Sequence, residues 1–95
     1  MTEPTKYNFG DQKIYYANAR LGGKTALLAG PFITANEAEA TLDIVGPAFI
    51  NEEPLAVSAS FGVMQCNIPG PCSGRYNHLL PPELYQNLAI GVPLN

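Results

Sequence analysis

LLAGPFITANEAEATL, residues 27–42, contains the sharpest change of pattern in this 95-residue chain. An apolar run that is typical of a strand ends at Gly30-Pro31-Phe32, and a helix signature follows directly. Thr34 and Glu37 have the spacing of a capping box, in which the threonine hydroxyl accepts from the Glu37 amide and the carboxylate accepts from the Thr34 amide. The stretch therefore predicts a strand that leads directly into a helix.

The helix that begins after Thr34 is expected to bury one apolar face. Four apolar residues recur at helical spacing on this face: Ala38, Leu42, Val45 and Phe49. The acidic Glu39 and Asp43 point away from it. Because Gly46-Pro47 interrupts the pattern, we expect the helix to end or kink near Val45, with a further turn or two before Pro54.

Upstream, residues 13–20 (KIYYANAR) and 25–32 (TALLAGPF) predict two strands of a hairpin. Gly22-Gly23 is typical of a two-residue hairpin loop, because glycine tolerates positive φ. With Leu21 opposite Lys24, one face receives the small or apolar pairs Ala19/Ala26, Ala17/Leu28 and Tyr15/Gly30. The other face receives the mixed pairs Arg20/Thr25, Asn18/Leu27 and Tyr16/Ala29. We expect the helix to cover the first face and solvent or a partner to meet the second.

Downstream, residues 55–66 (LAVSASFGVMQC) alternate in polarity and predict a third strand with one apolar face. The apolar positions are Leu55, Val57, Ala59, Phe61 and Val63. Residues 67–82 are rich in Pro, Gly, Asn and Ser and predict an ordered loop, and a short helix is expected from Pro82.

The expected fold is a single α+β domain over residues 1–95. An N-terminal arm (1–11) precedes a ββαβ core (12–66), in which an antiparallel sheet of three or four strands carries one main helix on one face. A long loop and a short C-terminal helix (67–95) complete the domain. A chain of this length has a modest core, because it buries roughly two thirds of its unfolded surface.

The amino-acid composition of the chain makes some classes of function unexpected. Charged residues make up 14% of the chain, against about 25% in an average globular protein, which suggests a surface partly covered by a partner or by another copy. The net charge is −3 and no basic cluster occurs, so direct sequence-specific DNA binding is not expected. The N-terminus lacks the pattern of a signal peptide and no apolar stretch approaches a membrane span, so we expect a soluble cytoplasmic protein.

The cysteines leave several alternatives open. Cys66 and Cys72 bracket NIPGP, a bend that could close a disulfide, whereas cytoplasmic thiols are normally reduced. A zinc site would combine both cysteines with His78, the only histidine, but this spacing differs from that of usual zinc ligands. Because the chain also lacks the common motifs of catalytic and phosphate-binding sites, we expect no catalysis, no metal and no cofactor.

The remaining candidates are recognition residues, because Tyr and Arg often anchor protein interfaces. One predicted group lies on the hairpin and comprises Tyr16, Asn18, Arg20 and Lys24. The other lies in the long loop and comprises Arg75, Tyr76 and His78. In the alternative interpretation, Tyr16 packs under the C-terminal segment and Arg20 is only solvated.

The strand-to-helix stretch and its surroundings resemble two groups of known proteins. The run Ala29-Gly-Pro-Phe32, Thr34, Glu37-Ala38-Glu39-Ala40 and Leu42 resembles the GPF-x-x-x-x-EA-x-x-x-L join of SPOR domains, which are peptidoglycan-binding modules, over about one sixth of the chain. The whole arrangement, from the YYA strand through LLAGPF-x-T-x-x-EA to Phe61-Gly62 and Cys66, resembles a group of small phage and prophage proteins. The second resemblance implies a phage-encoded protein.

We therefore expect a non-enzymatic phage protein that binds and inhibits a host protein or nucleoprotein complex, as anti-CRISPR proteins do. It would act in the cytoplasm of an infected bacterial host, without membrane association, as a monomer or homodimer. Three alternatives remain: a SPOR-like module that binds peptidoglycan or another glycan, a structural virion-associated protein, and a metal-dependent enzyme around Cys66, Cys72 and His78.

Overall fold

The structure, a computed structural model, describes residues 13–66 and 73–89 together with the backbone of residues 7–8 and 92–93. Its strands are β1 (Tyr7–Asn8), β2 (Ile14–Leu21), β3 (Lys24–Phe32), β4 (Ser60–Cys66) and β5 (Val92–Pro93). Its α-helices are α1 (Ala35–Glu39), α2 (Leu42–Glu52) and α3 (Pro82–Tyr85), and two 3₁₀ helices span Pro54–Ser58 and Asn77–Leu79. The predicted α+β class is confirmed.

The main sheet is antiparallel, has three strands and follows the order β3-β2-β4. β1 and β5 form a separate two-stranded antiparallel pair. The hairpin between β2 and β3 is confirmed, and its loop residues Gly22 and Gly23 have φ values of +58° and +81°. The rest of the predicted N-terminal arm lies outside the described residues.

The predicted hairpin register holds only near the turn. From Leu21↔Lys24 to Asn18↔Leu27 the pairs are as expected. Beyond Asn18 the prediction is wrong, because Ala17 pairs with Ala29 and Tyr15 pairs with Phe32. Each of these two shifts inserts one extra residue into β3, and the second falls where Pro31 has no N–H for the ladder.

The helix begins as predicted but is interrupted earlier. The Glu37 amide donates to the Thr34 hydroxyl over 3.2 Å, and the Thr34 amide donates to the Glu37 carboxylate over 3.3 Å, which confirms the capping box. The helix does not end near Val45, since α2 continues through Pro47 to Glu52, as the further turns expected before Pro54 require. The break occurs at Thr41, whose buried hydroxyl and amide both donate to the Ala38 carbonyl, over 2.7 and 3.1 Å, and tighten the turn.

The core lies between the sheet and these helices. Ala38, Val45 and Phe49 are buried, as predicted from the helical pattern, and Leu42 is half-buried. They pack with Ala17 and Ala19 of β2 and with Leu28, Ala29 and Phe32 of β3. The helix therefore packs on Ala17 and Ala19 of β2 as predicted, but the shifted register also brings Ala29, which was expected on the reverse face, into this core.

The segment before β4 differs from the prediction. Residues 54–58 form a 3₁₀ helix and the strand begins only at Ser60. Leu55 and Val57, expected on the buried face of a strand, are 73% and 72% exposed. Pro54 accounts for the difference, because its fixed φ suits the first position of a helical turn and its ring nitrogen cannot donate to a ladder.

Candidate functional site

A groove opens at the turn end of the hairpin, on the face of the sheet that carries the helices. Its volume is about 420 Å³. It is lined by Ala19, Leu21, Lys24, Thr25, Ala26, Phe49, Glu53, Leu55 and Arg75. We call it the hairpin groove.

Small side chains create the space in the hairpin groove. Ala19 and Ala26 are directly paired across β2 and β3, next to the pair Leu21↔Lys24. Two methyl groups fill much less volume than the larger side chains usual in a sheet, so an open space remains between the hairpin and Phe49 of α2. Leu55 and Lys24 both line this space and are exposed.

The segment Gly74–Tyr76 brings the loop residues to the groove, because it pairs with the outer edge of β3. The amides of Gly74, Arg75 and Tyr76 donate to the carbonyls of Gly30, Leu27 and Leu28, over 3.0, 2.9 and 2.8 Å. Gly74 is required here, since a Cβ atom at this position would lie 2.4 Å from Ala29 Cα. The approach of two backbones thus decides where Arg75 and Tyr76 lie.

Asn77 fastens the same segment to the Gly30-Pro31 region. Its side-chain oxygen accepts from the Gly30 amide over 2.9 Å, and its side-chain nitrogen donates to the Gly30 carbonyl over 2.6 Å. The Gly30-Pro31 peptide bond is cis and Gly30 has a φ of +139°, a conformation that L side chains rarely adopt. The two hydrogen bonds satisfy the peptide groups of Gly30 at the irregular part of β3.

Arg75 is held by neighbours on several sides. Its Nη2 atom lies 3.0 Å from Glu52 Oε1, and its guanidinium carbon lies 5.7 Å from the centre of the Phe49 ring and 5.6 Å from that of Tyr76. The ion pair is about half exposed, so we expect it to add little stability by itself. Its effect is to orient a cation at the rim of the groove.

Tyr76 contacts both members of the ion pair between Arg75 and Glu52. It is buried, and its hydroxyl donates a hydrogen bond to the Glu52 carboxylate atom that also contacts Arg75. Burial raises the pKa of Tyr76, the hydrogen bond to Glu52 raises it further, and Arg75 acts in the opposite direction. The neutral phenol is therefore favoured, and it holds Glu52 where the carboxylate can pair with Arg75.

The predicted site residues lie in two separate regions of the structure. Lys24 and Arg75 meet at the hairpin groove, although they lie far apart in the chain. Tyr76 lies behind Arg75, and the ring of His78 is 6.4 Å from that of Tyr76. Arg75 thus connects the groove to Tyr76, and the ring contact connects Tyr76 to His78.

The other predicted residues belong to the reverse face of β2. Tyr16 is fully buried and Asn18 is 6% exposed, whereas Arg20 is exposed. The expectation that this face is open to a partner is thus wrong at Tyr16 and Asn18. Tyr16 packs so closely against β3 that a Cβ atom on Gly30 would lie 2.6 Å from its ring.

Leu55, Phe49 and Glu53 are residues of the groove that were not among the predicted site residues. The apolar spacing of the sequence predicts core positions for Leu55 and Phe49. For Leu55 the signal was present in Pro54, which favours a helical turn over a strand and so turns the following side chain outward. For Glu53 no local signal exists, because its place beside Arg75 depends on the path of the loop.

The zinc alternative gains no support from the structure. Within residues 13–66 and 73–89, no group of three His, Cys, Asp or Glu side chains is arranged to hold a metal ion. Cys72, which both the zinc site and the disulfide require, lies outside the described residues. No helix in the described part of the chain is long and apolar enough to cross a membrane.

No protein-family model matches the chain, and neither the curated proteins nor the solved structures contain a significant match to it. Inference about function therefore starts from the hairpin groove and the residues that line it.

Proposed function

We propose that this protein acts by binding a macromolecular partner in the hairpin groove, without catalysing a reaction. The observation that carries the proposal is the position of Leu55, a large apolar side chain that is 73% exposed at the rim of the groove. The partner is a protein segment that supplies an apolar side chain to the groove and a carboxylate beside it.

The apolar part of this recognition comes from Leu55 and the floor beneath it. Full burial of a leucine side chain is worth about 2 kcal/mol, and most of this gain is still available because the side chain remains in contact with water. Phe49, Ala19 and Ala26 provide an apolar floor that is already formed. A partner side chain can therefore bind without reorganising the core.

The polar part comes from the two cations at the rim. In the part of the chain that the structure describes, Lys24 forms no ion pair, whereas Arg75 is already oriented by Glu52. A carboxylate from the partner can pair with Lys24, and the Arg75 guanidinium, whose N–H groups lie in its plane, supplies further donors at the rim. Because Glu53 also lines the groove, an extended anion such as a nucleic-acid backbone fits this site poorly.

The finer assignment rests on the resemblance to small phage and prophage proteins. It supports a phage-encoded protein that binds a host protein or nucleoprotein complex in the cytoplasm of an infected bacterial cell. Stoichiometric inhibition of that complex, as anti-CRISPR proteins inhibit a defence nuclease, suits a small binding module of this kind. The hairpin groove then contacts the host complex directly.

The test uses affinity capture from a bacterial lysate with two matched pairs of variants. Leu55→Ser removes the apolar contact, and Val57→Ser makes the same kind of change at an equally exposed position of the same 3₁₀ helix, outside the groove. Lys24→Glu reverses a charge at the groove, and Arg20→Glu reverses one on the opposite face of the hairpin.

A host protein retained by the wild type, Val57→Ser and Arg20→Glu, but lost by Leu55→Ser and Lys24→Glu, would support the groove. For Leu55→Ser we expect the Kd to rise about 30-fold, which corresponds to about 2 kcal/mol. Equal retention by Leu55→Ser and the wild type would overturn the proposal, and retention of only cell-wall fragments would favour the SPOR-like alternative. Loss of CRISPR interference in cells that express the protein tests the inhibitory role separately.

A further inference from the structure

The two edges of the main sheet differ. The order β3-β2-β4 places β3 at one edge and β4 at the other. β3 is covered along its outer edge, because Gly74–Tyr76 donate to it and the Ala89 amide donates to the Pro31 carbonyl over 2.8 Å. The described residues supply no corresponding strand to β4, so one row of its backbone groups has no ladder partner among them.

β4 also lacks the features that usually protect an edge strand. Natural edges carry charged residues, prolines or bulges that prevent pairing with another chain. The sequence of β4, SFGVMQC, contains no charged residue and no proline. Its register with β2 runs without a shift from Ile14↔Cys66 to Arg20↔Ser60, and none of its residues is buried. The strand is therefore regular and uncharged, and every one of its residues is at least partly exposed.

We propose that β4 is the interface of a homodimer, in which a second copy pairs antiparallel with the same strand. Pairing along the whole strand about a twofold axis centres the interface on Val63. Ser60 then lies opposite Cys66 of the second copy, Phe61 opposite Gln65, and Gly62 opposite Met64. No like charges meet, and the two three-stranded sheets become one continuous sheet.

A second copy fits this edge better than an unrelated strand for a chemical reason. The apolar and uncharged polar side chains of β4 complement themselves when the strand direction is reversed, since the large Phe61 and Met64 each face a residue that can accommodate them. No residue of β4 lines the hairpin groove. The dimer and the binding of a partner in the groove can thus succeed or fail independently.

The test links two positions that only a dimer brings together. Ser60→Cys is introduced with Cys72→Ser, and the native Cys66 is retained. Within one strand residues 60 and 66 lie about 20 Å apart, too far for a disulfide, but across the proposed axis they are directly opposite. Ser73→Cys in the same Cys72→Ser background is the control, because Ser73 is also exposed but lies outside β4.

After addition of a mild oxidant at low protein concentration, we expect Ser60→Cys to form a covalent dimer and Ser73→Cys to form much less. Light scattering should show a reversible dimer for the wild type. Met64→Lys should lower the association constant at least about tenfold, because the two lysines become diagonal neighbours about 7–8 Å apart. Met64→Gln, of similar length and uncharged, should retain the dimer.

Circular dichroism checks that each of these variants is folded. A wild-type protein that stays monomeric over the whole concentration range, with no more covalent dimer from Ser60→Cys than from Ser73→Cys, would overturn the proposal. A dimer that is unaffected by Met64→Lys and is not cross-linked by Ser60→Cys would place the interface elsewhere and would also overturn it.

Discussion

Gly74→Ala is the substitution that most directly probes how the groove is assembled. A Cβ atom at residue 74 would lie 2.4, 2.6 and 2.7 Å from the Cα, C and N atoms of Ala29. All three are backbone atoms in a paired strand, so no side-chain rotation can relieve the contact. The loop must move away from β3.

The cost follows from the hydrogen bonds that this movement breaks. The amides of Gly74, Arg75 and Tyr76 each donate to a carbonyl of β3, and a typical bond of this kind is worth about 1 kcal/mol net. Loss of all three predicts a decrease of about 3 kcal/mol in the free energy of unfolding. This is a large share of the roughly 5–15 kcal/mol that stabilises a typical domain.

Urea unfolding followed by circular dichroism measures this change. Gly62→Ala is the matched control, since the nearest atom to its added Cβ, Asn18 Oδ1, lies at an ordinary distance of 3.8 Å. We expect the control to change the free energy of unfolding by less than about 1 kcal/mol. If Gly74→Ala were as stable as Gly62→Ala, the close pairing of this loop with β3 would be refuted.

Two further predictions concern single side chains. Thr34→Ala should lower the free energy of unfolding by about 1 kcal/mol, because it removes the acceptor for the Glu37 amide. Thr34→Ser keeps a hydroxyl and should retain most of the wild-type stability. Urea titration of the wild type and both variants measures these differences. Burial raises the pKa of Tyr76 above 10.0, so the stability linked to its neutral form is present below about pH 10 and is lost as the pH rises through the higher folded value. Tyr76→Phe should reduce the loss of stability between about pH 8 and about pH 11, and an unchanged pH dependence would contradict the raised pKa.

Predictions from the sequence succeeded where short-range interactions decide the structure. The Gly22-Gly23 turn and the capping box at Thr34 depend on residues at most three or four positions apart, and both are present. The buried face of the helix also follows from local periodicity. Such signals are reliable because neighbouring residues stay close together whatever the rest of the chain does.

The wrong predictions have two causes. Some backbone groups bind partners that lie elsewhere in the chain, and in other places tertiary packing outweighs a local sequence signal. The hairpin register changes after Asn18 because β3 accommodates two extra residues, and Gly74–Asn77 bind the backbone of this irregular stretch from outside the hairpin. The helix breaks at the buried Thr41 although Pro47 is the stronger sequence signal. Whether a hydroxyl is buried depends on tertiary packing, which the periodicity of the sequence does not reveal.

The candidate site shows the same division. The sequence by itself determined the hairpin, the start of the helix and the α+β class, and it singled out Lys24 and Arg75 as charged residues at a turn and in a loop. Only the tertiary structure decided that these two cations share a groove with Leu55, and that Tyr16 and Asn18 are buried. The physical reason is that Asn77 binds Gly30 across 47 positions of the chain, and this distant contact places the loop beside the hairpin.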